Sequence, residues 1–151
     1  MCNAYDDAVA DTSRRPDLAA MLAPLLRELI AAEEPVLAAH SVSMWGYVVL
    51  VALDGSSMRT QAALAAAIGA DKTRIIRDLD ELQKHGLIER TPDPDDRRVR
   101  LLAITEAGRA VKNAVQQEIQ RGEERWLSQL RADERRTFLR VLGRLSGGGK
   151  R

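Results

Sequence analysis

The chain is expected to be mainly α-helical with one small β-hairpin, and three observations carry that expectation. Apolar residues recur at three- and four-residue intervals along most of the sequence, as at Leu22, Leu25, Leu26, Leu29 and Ile30. Two-residue alternation is confined to two short runs, LIERTP and RRVRLLAIT, which flank a turn rich in Asp and Pro. With 151 residues, 45% of them hydrophobic, the chain suffices for one compact domain with a real core and is short for two.

At the N-terminus, residues 1–15 have no apolar core of the kind a secretion signal needs and are expected to form a disordered tail. That tail holds the only cysteine, Cys2, which cannot form an internal disulfide and fits a reducing compartment. Pro16 and Asp17 supply a helix start, and the first helix should run to about residue 39. Pro24 and Pro35 should each kink or interrupt it, because proline removes an amide donor and clashes with the preceding turn. SVSMWGYVVLVAL reads as a second helix capped by Ser41 or Ser43, although Val48, Val49 and Val51 leave a strand open. DGSS is a turn that stops it. Thr60 then caps the alanine-rich QAALAAAIG, which Gly69 ends.

Asp71 is the expected cap of the next helix, about fifteen residues long by its apolar pattern. Ile75, Leu79 and Leu82 form one apolar stripe, Arg74, Arg77 and Glu81 occupy the other face, and His85 and Gly86 close the helix. Two helices joined by a short glycine turn form a helix-turn-helix, whose second helix presents its N-terminal end to the major groove. A hairpin placed directly after such a helix is a wing, and arginines at its tip suit the negative potential of a narrow minor groove. The fold class is therefore a winged helix-turn-helix domain over about residues 41–105, with N- and C-terminal dimerisation helices over about 16–39 and 106–146. The expected DNA-binding residues are Thr60, Lys72, Thr73, Arg74, Arg77, Asp96, Arg97 and Arg98. Residues 71–100 carry as many acids as bases, so charge alone would equally describe a solvated surface loop; the order of the elements decides for DNA.

These residues resemble the MarR family of winged-helix transcriptional regulators, and the resemblance spans nearly the whole chain. It rests most firmly on LAAAIGADKTRIIRDLDELQKHGLIERTPDPDDRRVRLLAITEAG, with Gly86, Leu87 and Arg90 after the recognition helix and Asp96 and Arg98 as the Asp-x-Arg of the wing. Thr105 and Gly108 match the family's ending, where Ile104 replaces the commoner leucine. The resemblance implies a homodimeric repressor of a near-palindromic operator on double-stranded DNA, released by a small molecule. It also implies that Arg98 is the minor-groove arginine, Asp96 its positioning partner, and Arg97 a phosphate contact.

The C-terminal third points to a second copy. Val111, Val115, Ile119, Trp126 and Leu130 fall near one helical face; Asp133 caps a last helix with Phe138, Leu139, Val141, Leu142 and Leu145; residues 147–151 are a flexible tail. Those helices carry more apolar surface than a small winged domain covers, the bland reading being that they fold back onto it. The expected effector, if there is one, is a small aromatic or phenolic molecule lined by His40, Met44, Trp45 and Tyr47; ordinary core packing is the competing role for these four. No catalytic residues, cofactor or metal are expected: there are only two histidines and one cysteine, with no phosphate-binding loop, dinucleotide fingerprint or zinc motif. The formal charge of +1 and the lack of a membrane-length apolar run favour a cytoplasmic protein with local basic surface and no membrane partner. A winged-helix module that only binds other proteins is the alternative; Arg74, Arg77 and Arg98, on both readout elements, argue against it.

Overall fold

The computed structural model describes residues 15–55 and 59–147. In order these form α1 (Leu18–Ala39), α2 (Met44–Asp54), β1 (Arg59–Thr60), α3 (Gln61–Ile68), α4 (Ile76–Lys84), β2 (Ile88–Pro92), β3 (Arg100–Ile104), α5 (Glu106–Leu127) and α6 (Ala132–Gly147). The tails expected at 1–15 and 147–151 lie outside these residues, apart from Arg15 and Gly147. So do Cys2 and the second half of the DGSS turn.

The helix starts are set by side-chain caps. Asp17 accepts the Ala20 N–H at 2.8 Å, Ser43 the Gly46 N–H at 2.9 Å and Thr60 the Ala63 N–H at 3.1 Å. Ser43, not Ser41, is thus the cap of α2, and the valine-rich segment that left a strand open is helical. Prolines do not interrupt α1, which runs through both Pro24 and Pro35. Each removes one amide from the ladder, but Ala20 and Ala31, four residues earlier, are exposed, so water can satisfy the freed carbonyls. Asp133 is not the cap of α6: it is the second helical residue, and Glu134 reaches back to accept the Arg131 N–H at 2.9 Å.

The sheet is antiparallel, in the order β1-β3-β2. Ile88 pairs with Ile104 and Arg90 with Leu102, a register that turns Ile88, Leu102 and Ile104 to the core. Strand β1 extends the expected hairpin by pairing Arg59 with Leu102. Pro92 is tolerated at the end of β2 because that strand is an edge.

One core unites Val49, Leu50 and Leu53 of α2, Leu64 of α3, Leu79 and Leu82 of α4, and the inward residues of the sheet. A smaller cluster of Leu37, Val115 and Ile119 joins α1 to α5; Tyr47 and Val111 touch both clusters and so tie the winged lobe to the long helices. Helix α6 buries no residue, and Leu145 is 73% exposed. Leu18, Met21, Leu22, Leu26 and Ile30 of α1 and Phe138, Leu139 and Leu142 of α6 are likewise exposed. The terminal helices therefore do not spend their apolar faces on their own lobe. Among the described residues no single helix is long and apolar enough to cross a membrane.

Candidate nucleic-acid interface

Gly69, at φ +67°, ends α3 in the left-handed conformation and turns the chain toward α4. The segment after it departs from the expected fifteen-residue helix. Helix α4 begins only at Ile76, with no side-chain cap, and residues 72–75 form a turn. Asp71 organises that turn instead: its carboxylate accepts the Thr73 N–H at 2.7 Å and the Thr73 hydroxyl, while its carbonyl accepts the Arg74 N–H at 3.1 Å. Such local bonds offer an aspartate an alternative to capping. The Thr73 hydroxyl is the chief cause holding the Asp71 carboxyl below the usual carboxylate range, assisted by the Thr73 amide. Lys72, Thr73 and Arg74 thus lie on a pinned approach to the helix rather than on its first turn, and all three are exposed. Arg77, the second residue of α4, is exposed beside them, while Ile75, Leu79 and Leu82 are buried as their spacing requires. Gly86, at φ +70°, ends the helix, and His85 Nδ1 lies 2.9 Å from the Glu81 carbonyl oxygen.

The wing tip is built the same way. The Asp93 carboxylate accepts the Asp95 N–H at 2.9 Å, and the Asp96 carboxylate accepts the Arg98 N–H at 3.0 Å. The Asp93 N–H donates to the Val99 carbonyl at 2.9 Å, closing the loop. Asp96 therefore holds the backbone that carries Arg98, and no ion pair joins the two side chains among the described residues. Arg97 and Arg98 are exposed. Of the ion pairs among the described residues, none uses Lys72, Arg74, Arg77, Arg97 or Arg98. These five cations lie exposed on adjacent elements.

Two braces fix these elements, and sequence spacing did not reveal either. Arg90 Nη2 of β2 lies 2.7 Å from Asp80 Oδ1 of α4, tying wing to helix. The distance suits an ion pair, but the alignment is not that of a hydrogen bond, which leaves the buried Nε and Nη2 without an acceptor. Asp54, at the end of α2, meets Lys112 Nζ at 2.7 Å and Arg109 Nε at 3.1 Å on α5. Lys112 chiefly, with Arg109, holds the Asp54 carboxyl below its ordinary range. Behind the wing, the Thr105 hydroxyl donates to the Gly86 carbonyl at 2.7 Å, and Gly108 passes so close to the Leu87 carbonyl that any Cβ would collide with it and lie 2.8 Å from Ile104.

The four expected effector residues are only partly brought together. His40 Nε2 is 3.0 Å from Glu118 Oε1; Met44 and Tyr47 pack on the Leu37–Val115–Ile119 cluster; Trp45 packs on the main core. Burial, with Glu33 and Glu123 adding to it, raises the Tyr47 phenol; Glu33 is raised by burial and by Glu123. Clefts open elsewhere. One of about 480 Å³ lies between Ser41, Ser43, Arg77, Asp78 and His85, and an apolar one of about 320 Å³ between α1, α5 and α6 includes Leu26, Trp126, Phe138 and Leu142. Neither is lined by His40, Met44, Trp45 or Tyr47. Helical spacing gives no reason to single out Ile76, yet it is exposed beside Arg77.

Residues 45–99 match the model of the MarR family. Over 86 residues the chain is 29% identical to the uncharacterized HTH-type transcriptional regulator YdgJ of Bacillus subtilis (strain 168) and 33% identical to a putative transcriptional regulatory protein for the hcr operon of Thauera aromatica, in each case 57% of this chain. The aligned stretch is 52% of each relative, so the chain spans about half the length of the curated relatives it matches. Among solved structures, a MarR crystal structure is similar with a TM-score of 0.80 at 26% identity, covering 89% of this chain and 92% of that one. The transcriptional repressor CouR bound to a 23-mer DNA duplex gives 0.74 at 27%, covering 86% and 92%. CouR from Rhodococcus jostii RHA1 bound to p-coumaroyl-CoA gives 0.69 at 26%, covering 85% and 91%.

Proposed function

We propose that this chain, whose residues 45–99 match the MarR family model and whose fold is similar to a MarR structure, is a MarR-family regulator: a homodimeric, sequence-specific DNA-binding repressor rather than an enzyme. The observation that carries this reading is the set of five exposed cations, in no ion pair among the described residues, on the approach to α4, on α4 itself and on the wing tip, whose neighbouring acids Asp71, Asp80 and Asp96 are already engaged within the fold. Lys72, Thr73, Arg74 and Arg77 approach base edges and phosphates in the major groove, with Thr60 at the start of α3 as a backbone contact. Arg98 enters the minor groove, and Arg97 meets phosphate. CouR, similar over most of the chain, was solved on a DNA duplex, which supports the same use of these elements here.

The apolar faces of α1 and α6 support a homodimer. Contiguous exposed leucines at this density mark an interface, and a second copy brings the same patch to meet them. Two-fold symmetry then requires a near-palindromic operator with half-site centres about one helical turn apart. The effector would enter where Met44 and Tyr47 pack on the α1–α5 cluster, beside the His40–Glu118 pair, and Trp45, which packs on the main core, would report the change from a distance. The cavity between α1 and α5 that Glu33, Glu118 and Glu123 line holds only about 20 Å³, so it would have to open to admit an effector, and its carboxylates suit a neutral phenol better than a carboxylate. Release would come from preferential binding to a dimer whose wings no longer span adjacent grooves.

Selection from a random duplex pool tests the reading. Enrichment of one two-fold-symmetric site is expected; a chain that enriches nothing, and instead captures protein partners through its wing, would be a protein-interaction module. For the effector, a neutral phenol should quench Trp45 fluorescence in a Trp126→Phe background and release that site more strongly than salicylate; no change in either signal returns the four residues to core packing.

A further inference from the structure

The large apolar side chains that the structure leaves exposed fall into two groups. Most belong to α1, α6 and the link before α6; Val51 and Ile76 do not. Val51 is on α2, outside both readout elements, whereas Ile76 is the first residue of α4 and is 42% exposed. Successive helical residues are about 100° apart, so Ile76 lies between the buried face of Ile75 and the open face of Arg77. One turn further along the same flank is Asp80, which meets Arg90 of β2, so this flank of α4 faces the wing. Ile76 therefore occupies the N-terminal, wing-side corner of α4, between the cations of the approach and those of the wing.

A solvated helix start has no use for isoleucine there. A β-branched side chain loses rotamer freedom in a helix, and its apolar surface gains nothing in water. Every other apolar residue of α4 is buried. In the major groove, by contrast, base edges present one apolar group, the C5-methyl of thymine. We propose, on the reading of α4 as the recognition helix, that Ile76 is a specificity-determining residue that packs against the methyl of a thymine beside the base contacted by Arg77. Arg77 then supplies hydrogen bonds to one base while Ile76 excludes water from the next, and cytosine at that position is disfavoured because it carries no methyl.

The test uses the full chain and the duplex it enriches from a random pool. Each thymine is replaced in turn, in both half-sites, by deoxyuridine, which removes only the methyl, and affinity is measured for the unaltered chain, Ile76→Ala and Ile76→Val. At one thymine, within two base pairs of the position whose preference Arg77→Ala relaxes, methyl loss should weaken the unaltered chain roughly three- to fivefold per half-site, the scale of one buried methyl. Ile76→Ala should be weakened to a similar degree and be indifferent to that methyl, with Ile76→Val between. Affinity for a scrambled duplex should stay the same in all three, which separates a lost contact from a lost fold. Equal methyl sensitivity in the unaltered chain and Ile76→Ala at every thymine, or no sensitive thymine at all, overturns the assignment and leaves DNA binding standing. A pool that enriches no duplex overturns both.

Discussion

Glu33 lies in the α1–α5 seam, where burial and the facing Glu123 both disfavour its charge and raise its pKa above the ordinary 4.5. A carboxyl raised on folding contributes stability that is complete below the ordinary value and is lost as pH rises through the raised one. At neutral pH the native state is therefore carrying a charge it would rather lose. Glu33→Gln should raise the melting temperature at pH 7, and the gain should vanish below about pH 4, where the native carboxyl is already neutral. Melting curves of the two chains across that range check it; an equal gain at every pH would show that charge is not the cause. None of this is legible in the sequence, since Glu33 and Glu123 meet only when α1 packs on α5. The same holds for Asp54 with Lys112 and for Asp80 with Arg90. Buried stripes such as Ile75, Leu79 and Leu82 were legible because periodicity alone decides them.

Among the elements, α4 and the wing are legible in the sequence, while their junctions are not. Asp71 before a helical pattern reads equally as a cap or as the start of a side-chain-closed turn, and Thr73 decides for the turn. Strand β1 spans two residues, too few for alternation to register. The prolines of α1 point to a kink or an interruption, and the helix is not interrupted at either, Ala20 and Ala31 being exposed residues whose carbonyls water can reach. The wing invites a sharper test, because Asp96 bonds to the Arg98 backbone rather than to its guanidinium. Asp96→Asn keeps an acceptor for that N–H and should bind the operator nearly as well as the unaltered chain. Asp96→Ala should approach the loss caused by Arg98→Ala, which weakens all sequences alike, whereas Arg77→Ala should relax preference at one base pair at a cost of about 1–3 kcal/mol. Operator titrations of the four variants separate these roles. An Asp96→Asn as weak as Asp96→Ala would show that the carboxylate charge, and not the turn, positions Arg98.

For the whole molecule, the winged lobe gathers its apolar residues into one core, whereas α1 and α6 leave large apolar side chains exposed. Leu26, Leu139 and Leu142 remain exposed around an apolar cleft of about 320 Å³ that a second copy would fill. Tyr47, Val111 and the Asp54–Lys112 pair couple the lobe to these helices, so in the proposed homodimer the spacing of the two wings would depend on how the copies dock. Two copies of Lys72, Arg74, Arg77, Arg97 and Arg98 would make binding steeply salt dependent, with a logarithmic slope approaching about −9 if every one met a phosphate and shallower where arginines read bases. Leu139→Glu should separate the copies and with them the two half-sites. Sedimentation of the chain with its selected duplex, at rising salt and beside Leu139→Glu, puts the central claim to the most direct test. Two chains per duplex, released steeply by salt and absent with Leu139→Glu, is the predicted result; one chain per duplex, or equal binding to a scrambled duplex, would contradict it.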